Sequence, residues 1–274
     1  MSELIIRRVL IACDAACDIQ EAVEGAAALA DRSNAALHGV FLEDENLYRL
    51  AGLPFGRQVK LPFVAAQALD HDEIEKLSSA MGAAMRRSLA EAARQRGLGW
   101  SFDVVRGFPG AAALAEFEAD ILIIQEATRL FSGSWRPRSS WSELSEGYSR
   151  TMLIRRTMRS PARTAVILLD KQENRERILL AGHAVANPQH EVVVLLRDGT
   201  DSAIAAVSQA FEPLALASGR KIRWEVASAG MPNVLREIVQ LEPALVVTGA
   251  GEKANDQVVR DLIAATRCDV LVVR

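Results

Sequence analysis

Two kinds of apolar pattern alternate along this chain. Short runs of consecutive apolar residues, of which residues 9–12 are the first, are separated by longer segments in which apolar residues recur every three or four positions. The short runs are typical of strands buried on both faces of a parallel sheet, and the longer segments are typical of amphipathic helices. The first helix is predicted to begin after Asp18 as N-cap, with Glu21 as its capping-box partner.

The first half of the chain is predicted to hold four strands and three helices. The predicted strands are residues 9–12, 36–42, 101–105 and 121–124, and the predicted helices are residues 19–30, 73–96 and 111–118. Gly97 closes the long second helix in the C-terminal position that glycine favours. Residues 43–72 are interrupted by Pro54, Gly56 and Pro62 and are predicted to be irregular, with the length of a lid or binding loop. Within them, residues 47–63 are apolar enough to cover a crevice, lie in an interface or simply cover the core.

The second half repeats the alternation of strand and helix. Its predicted strands are residues 164–169, 191–196, 221–227, 244–247 and 269–273, and its predicted helices are residues 175–186, 202–218, 233–241 and 256–266. Strands that alternate with helices in this way indicate an α/β protein with open, mostly parallel sheets flanked by helices and joined by right-handed crossovers.

Two details indicate an internal duplication. The first strand of each half ends at an aspartate, Asp14 and Asp170, and each half has a Gly-x-Pro turn, at Gly107 and Gly230, before a helix and a short apolar strand. We therefore predict two tandem α/β domains, residues 1–160 and a shorter one of residues 161–274. The strand at residues 164–169 could close the first domain, open the second, or serve both.

Composition narrows the class of protein. The 274 residues are 50% hydrophobic and 24% charged with a net charge of -3, which excludes disordered, collagenous and disulfide-scaffold proteins and gives no general attraction to nucleic acid or membranes. The three cysteines cannot all pair with one another, and no apolar stretch approaches the roughly 20 residues of a membrane span. Because the N-terminus also lacks a signal-peptide pattern, we expect a cytoplasmic protein.

Catalytic and metal-binding motifs are missing from the sequence. There is no G-x-S-x-G elbow, Walker A loop, G-x-G-x-x-G fingerprint or H-E-x-x-H pair, and the four histidines are scattered. Cys13 and Cys17 make a poor zinc pair without further ligands, although Cys13 stands near a helix start where a thiol can be reactive. We therefore predict no catalytic residue and no metal ligand.

An arginine-rich stretch extends over residues 129–163. It holds eight arginines, together with Trp135 and Trp141 among serines. We single out Arg129, Arg136 and Arg138 as candidates for binding a phosphate or carboxylate ligand through bidentate contacts. The alternatives are contact with nucleic acid, with the tryptophans stacking on bases, or a solvated segment that docks on a partner subunit or on the second domain.

These features together resemble the universal stress protein family in its tandem, two-domain form. The similarity lies in the first strand with its terminal acid Asp14, the Leu37-His38-Gly39-Val40 segment followed by acids, the two Gly-x-Pro turns, and the final helix and strand at residues 264–273. The resemblance covers nearly the whole chain. It implies Rossmann-like units with strand order 3-2-1-4 and a fifth strand at the edge, and a homodimer or another protein as partner.

Many members of that family bind ATP through a G-x-x-G-x9-G-[ST] loop after the fourth strand, and this chain departs from it. The second half supplies Gly249, but Gly251 stands one residue early and Glu252 takes the place of the second glycine. The first half has Gln125-Glu126 and no glycine before Gly133. The turn at Gly249 and Gly251 could therefore serve a nucleotide or simply start the last helix.

The resemblance also implies that Asp14 contacts the nucleotide and that the Val40 backbone faces its base. The alternative for Asp14 is a cap on the following helix. We therefore predict a non-catalytic, stress-linked regulatory protein with a degenerate crevice for ATP or AMP. One alternative is an enzyme of the nucleotide-binding α/β group that acts on a phosphorylated small molecule at the arginine-rich stretch. The other is an interaction module without a ligand that dimerises through residues 269–273.

Overall fold

The computed structural model divides into two compact units, Arg7–Tyr148 and Ser149–Arg274, the latter with Met1–Ile6. It describes residues 5–15, 17–51, 53, 57–59, 66–68, 70–107, 114, 116–126, 151–156, 162–170, 174–197, 199–249 and 254–274. Within these residues no helix is long and apolar enough to cross a membrane.

Four parallel strands form the sheet of the first unit. Its elements are β1 (Arg8–Cys13), α1 (Ile19–Arg32), β2 (Ala36–Asp44), α2 (Glu45–Ala51), β3 (Arg57–Val59), β4 (Ala66–Ala68), α3 (His71–Arg96), β5 (Trp100–Gly107) and β6 (Ile121–Glu126). The strand order is β6-β1-β2-β5, which is the predicted 3-2-1-4 arrangement. β3 and β4 pair separately as a short antiparallel ribbon.

α1 and α3 begin and end within two residues of the predicted positions. Asp18 caps α1 by accepting a hydrogen bond from the Glu21 amide at 3.1 Å. α3 ends at Gly97, whose φ of 67° lies in the left-handed region that glycine tolerates best. α3 approaches β2 closely, since a Cβ at Gly82 would come within 3.3 Å of the Phe41 ring. The fit of α3 against the sheet thus depends on a small residue.

The connection between β2 and α3 is more ordered than predicted. Residues 43–72 were expected to be irregular, yet they contain α2 and the β3–β4 ribbon. Asp44 starts α2 by accepting a hydrogen bond from the Asn46 amide at 2.9 Å, and Tyr48 is buried. A helix of seven residues is too short to show a clear period, so its pattern was missed. The helix predicted for residues 111–118 lies largely outside the described residues.

The second unit contains a six-stranded sheet. Its elements are β7 (Thr151–Arg156), β8 (Thr164–Leu169), α4 (Arg175–Val185), β9 (Glu191–Leu196), α5 (Asp201–Ser218), β10 (Ile222–Val226), α6 (Met231–Gln240), β11 (Leu245–Gly249), α7 (Ala254–Ala265) and β12 (Asp269–Val273). The order is β10-β9-β8-β11-β12-β7, with the first five strands parallel and β7 antiparallel. The strand at residues 164–169 therefore belongs to the second unit and lies at the centre of its sheet.

Helices cover both faces of this second sheet. α6 and α7 pack on one face, where Val234 and Leu262 join a buried cluster with Val166 and Val246. α4 packs on the opposite face, where Gly182 lies against Ile167 and Val247. The alternation of neighbouring strand residues between the two faces explains why these strands read as continuous apolar runs.

β7 was not predicted. It lies within the arginine-rich stretch expected to be a loop, and it pairs with β12 through Met152, Leu153 and Ile154. Only these three consecutive residues are apolar, which is too short a run to stand out among arginines. Arg155 of this strand is buried and bonds Asp269 at 3.3 Å.

The position of β7 corrects one expectation about assembly. β12 was expected to offer an edge for dimerisation, yet β11 occupies one of its sides and β7 the other. A strand bonded on both sides has no free backbone donors and acceptors with which to extend the sheet. The predicted boundary after residue 160 stays a prediction.

We expect Gly182→Val to destabilise the second unit. A Cβ at residue 182 would stand 2.7 Å from Ile167 Cδ1 and 3.3 Å from Val247 Cγ2, both in the core. Overpacking of this kind costs about 2 kcal/mol, measurable as a lower urea midpoint by circular dichroism. Gly99→Ala, at a position with open space around it, is the matched control and should leave the midpoint unchanged. Equal midpoints for the two variants would contradict the close packing of α4.

Replacing Arg155 tests the anchoring of β7. Arg155→Leu removes the guanidinium that bonds the Asp269 carboxylate, which is itself only 22% exposed. Removing one partner of a buried pair costs about 3 kcal/mol, so we expect a clear drop in the melting temperature. Arg94→Leu, which breaks an exposed pair with Glu91, should have little effect. A wild-type melting temperature for Arg155→Leu would show that the ion pair does not hold the strand.

Candidate functional site

The first unit has a topological switch point between β1 and β6. β1 lies between β2 and β6, so the chain leaves β1 toward one side and returns later on the other. In open α/β sheets, ligands bind above the carboxyl ends of the strands at such a point. Asp14 follows the last residue of β1, and Gln125 lies at the corresponding end of β6. The carboxyl ends of β1 and β6 are therefore the candidate site.

Gln125 joins the two strand ends that border the site. Its Oε1 accepts hydrogen bonds from the Cys17 thiol at 2.9 Å and from the Asp18 amide at 2.9 Å. The next capping bond, from the Glu21 amide, goes to Asp18. Free amides at a helix N-terminus commonly bind phosphate. Here the amides of Asp18 and Glu21 are both bonded within the protein. The start of α1 is therefore poorly prepared to hold a phosphate group.

Two cysteines lie directly beneath Gln125. The Sγ atoms of Cys13 and Cys17 are 3.0 Å apart. Cys13 is buried, whereas Cys17 is partly exposed. The contact with the Cys17 thiol and then burial raise the pKa of Cys13, and the Asp14 and Asp18 carboxylates act in the same direction. Cys13 therefore keeps its proton at neutral pH.

The carboxyl ends of β2 and β5 carry a second polar cluster. Glu43 accepts hydrogen bonds from Ser78 Oγ at 3.0 Å and from Arg106 Nε at 2.9 Å. The Arg106 guanidinium also lies 4.2 Å from the centre of the Tyr48 ring. This cation is thus engaged by a carboxylate and an aromatic ring, and it ties α2 and α3 to the strand ends.

The switch point of the second unit has different chemistry. β8 lies between β9 and β11, and Asp170 follows β8 as Asp14 follows β1. The Asp170 carboxylate bonds Arg197 Nη2 at 2.6 Å, and its backbone carbonyl accepts a hydrogen bond from Arg175 Nε at 2.9 Å. Asp170, the acid of the second repeat, is therefore part of an ion pair that connects the carboxyl ends of β8 and β9.

The structure places three of the predicted site residues. Asp14 is partly buried at the end of β1, and Gly249 is the buried last residue of β11. Val40 is buried within β2, with Ala12 of β1 and Asp103 of β5 as its register partners on the two neighbouring strands. The remaining candidates lie outside the described residues: Gly251, Arg129, Arg136 and Arg138.

Sequence reasoning missed two groups that the fold assembles. Gln125 and Cys17 are 108 residues apart in the chain yet share a hydrogen bond. Gln125 was noticed only as a missing glycine, although a polar residue at the end of an apolar strand is a signal in its own right. The second group involves His38 on β2 and two residues of β5.

His38 lies against Ser101 and Asp103 of the edge strand. Its Nδ1 is 2.6 Å from Ser101 Oγ and its Nε2 is 3.0 Å from Asp103 Oδ2, while the Phe117 ring packs 5.1 Å away. The contact at Nε2 is close but lacks hydrogen-bond geometry. A hydrolytic triad needs a well-aligned bond from the imidazole to the acid. The arrangement is therefore better described as a half-buried histidine packed between polar neighbours.

One group of possible metal ligands occurs among the described residues. His71, Asp72 and Glu75 lie in the first turn of α3, with ligand atoms within 4.8 Å of one another. All three are exposed, and acidic groups of this kind are common on protein surfaces without an ion. They carry no argument for a resident metal.

Stability is expected to depend on pH through His38. Burial lowers the pKa of His38, although Asp103 opposes the shift. The unfolded chain then binds a proton at His38 more readily than the folded chain does. The free energy of unfolding is therefore not reduced by His38 above about pH 6.5, and it falls as the pH drops below that value. Urea midpoints between pH 8 and pH 5 should fall less steeply for His38→Gln than for the parent. His71→Gln, at an exposed position, should retain the parent slope, and equal slopes for all three proteins would refute the assignment.

Comparisons with known proteins identify the fold. No family model and no curated protein matches the chain. A universal stress protein from Archaeoglobus fulgidus DSM 4304 matches with a TM-score of 0.62 and 11% identity, over 97% of this chain and 96% of that chain. A protein of unknown function from Pseudomonas aeruginosa PAO1 matches with a TM-score of 0.59 and 16% identity, over 98% of this chain and 92% of that chain. A proposed universal stress protein from Pseudomonas aeruginosa UCBPP-PA14 matches with a TM-score of 0.54 and 17% identity, over 98% of this chain and 93% of that chain. The predicted resemblance is thus confirmed at the level of fold: the chain has the universal stress protein fold over nearly its full length.

Proposed function

We propose that the protein is a non-catalytic, stress-linked regulator that binds an adenine nucleotide in a degenerate crevice of the first unit. The observation that carries the proposal is the switch point between β1 and β6, where Asp14 stands at the strand end and Gln125 takes the place of a phosphate-binding glycine. A carboxylate can accept hydrogen bonds from ribose hydroxyls, which is the role that an acid has in Rossmann-fold dinucleotide sites.

The charges around the crevice favour the nucleoside part of the ligand over its phosphates. Asp14 and Asp44 lie at the carboxyl ends of neighbouring strands, whereas the charge of the Glu43 carboxylate beside them is compensated by Arg106. Carboxylates repel phosphate, and the first amides of α1 are already bonded to Gln125 and Asp18. The β- and γ-phosphates of ATP therefore gain little here beyond what AMP gains.

The same chemistry argues against phosphoryl transfer at this edge. That reaction depends on cations placed around the transferred phosphoryl group. Arg106, which the described structure places at the carboxyl end of β5, is held by Glu43 and stacks on Tyr48. It is thus committed to the fold rather than to a ligand.

Two further parts of the proposal concern domains and location. If the separate β3–β4 ribbon is left aside, β7 follows β1, β2, β5 and β6 as the fifth strand of the first repeat. β12 is likewise the fifth strand of the second repeat, so we retain residues 1–160 and 161–274 as the two repeats. Cys13, Cys17 and Cys268 all carry thiols rather than disulfide bonds, which supports a reducing, cytoplasmic setting. A regulator acts through partners, and we include a second copy or another protein as the partner.

The first test is to release and identify any small molecule carried by the purified protein, followed by thermal shifts with ATP, ADP, AMP and inorganic phosphate. We expect dissociation constants for ATP and AMP within about tenfold of each other, because one charged hydrogen bond to a β- or γ-phosphate would be worth more than that. Incubation with ATP should show no saturable turnover. Asp14→Asn should weaken AMP binding by about tenfold.

Asp261→Asn is the matched control, since Asp261 lies on α7 and bonds Gln257 far along the chain from the crevice. It should leave the nucleotide shifts unchanged. Saturable ATP turnover, or much tighter binding of ATP that Arg136→Ala abolishes, would favour the enzyme alternative at the arginine-rich stretch. No shift with any nucleotide would favour an interaction module without a ligand.

A further inference from the structure

The two cysteines beside Gln125 at the candidate site have a geometry that the proposed function does not use. Cys13 ends β1 and Cys17 precedes the cap of α1, with their sulfurs 3.0 Å apart. A disulfide bond is about 2.05 Å long, so closing it requires the sulfurs to approach by about 1 Å. Such a small movement is within reach of a turn, and the Cys17 amide already bonds the Asp14 carbonyl at 3.2 Å.

We propose that Cys13 and Cys17 form a reversible intramolecular disulfide when the protein meets a peroxide such as hydrogen peroxide. The pair differs from an ordinary buried thiol in two respects: each sulfur has the other as its neighbour, and one of the two is partly exposed. A resolving thiol beside an accessible one is the usual arrangement of a redox-sensitive site.

The exposures assign different steps to the two cysteines. Cys17 is partly exposed and reacts first: its thiolate attacks one peroxide oxygen, the O–O bond breaks, and a sulfenic acid forms with release of hydroxide. Cys13 is buried and reacts second: its thiolate attacks the Cys17 sulfur, the S–S bond forms, and the S–O bond breaks with loss of hydroxide. Two thiols and one peroxide thus give one disulfide and two waters, with sulfur oxidised and peroxide reduced.

Oxidation would alter the crevice through two groups. Asp14 lies between the two cysteines in the chain, so the bond closes the turn that carries it. The Cys17 thiol is also one of the two donors to Gln125 Oε1, and a disulfide sulfur cannot donate. The disulfide itself does not depend on nucleotide binding, so its test stands apart from the test of the proposed function.

The experiment treats the full-length reduced protein with hydrogen peroxide, blocks remaining thiols with N-ethylmaleimide under denaturing conditions and digests with trypsin. Cys13 and Cys17 fall in one tryptic peptide, residues 9–32, and Cys268 falls in another. We expect blocked thiols to fall from three to one, with the loss of two hydrogen atoms confined to residues 9–32. Dithiothreitol should restore all three thiols.

Single variants separate the two roles. Cys13→Ser should accumulate a sulfenic acid at Cys17 that dimedone traps, and Cys17→Ser should keep its two remaining thiols under the same treatment. Cys268→Ala, the matched control, should form the disulfide at the parent rate. Because the contact with Cys17 and burial raise the pKa of Cys13, disulfide formation should speed up as the pH rises above neutrality.

Retention of three titratable thiols in the treated parent would overturn the proposal. Disulfide-linked dimers, a bond to Cys268, or conversion of Cys17 directly to sulfinic acid would overturn it equally. Circular dichroism of each variant before treatment shows that it is folded, and trapping of Cys17 in the folded parent by dimedone, in competition with closure, provides a readout that needs no substitution.

Discussion

The right-handed connection between parallel strands is the constraint on which the rest of this structure depends. A parallel pair cannot be joined by a tight turn, so each crossover must pass over one face of the sheet. When β2 has formed on one side of β1, the later strand β6 finds its place only on the other side. The two connections therefore diverge above the end of β1, and the edge between β1 and β6 stays open to side chains. The same reasoning applies to β8 between β9 and β11.

The two repeats place different chemistry around their equivalent acids, Asp14 and Asp170. In the second unit, Arg197 at the end of β9 forms an ion pair with Asp170, on the side of β8 away from β11. In the first unit, Gln125 on β6 connects the thiol of Cys17 to the amide of Asp18, the cap of α1. The two repeats thus share one arrangement of strands, but only the first repeat has a pair of thiols, Cys13 and Cys17, beside its acid Asp14.

The pairing of β7 with β12 changes what the chain can do as a partner. The last strand of each repeat of this fold class stands where a sheet would otherwise end, and an exposed edge invites pairing with another strand. Here the chain supplies that strand itself, and the buried Arg155–Asp269 pair holds it in place. β12 is therefore not available to pair with a strand of another molecule.

Much of the fold follows from local pattern. Strands such as β8, β9 and β12 are short apolar runs bounded by polar residues, and their ends agree with the sequence prediction because burial on both faces admits no polar position inside the run. The helix caps at Asp18 and Gly97 could also be predicted from the sequence, because each depends only on the conformation and hydrogen bonds of nearby residues.

What lies far apart in the chain could not be predicted from it. The strand β7 exists because β12 pairs with it, not because three apolar residues among arginines favour a strand. Gln125 contacts Cys17 because β6 returns beside β1, and the distance between two sulfurs depends on the turn that α1 imposes. The sequence by itself determined the class of fold, the repeat and most element ends, since those depend on periodicity and local hydrogen bonds. Only the tertiary structure decided which side chains meet at the strand ends, because those contacts depend on strand order.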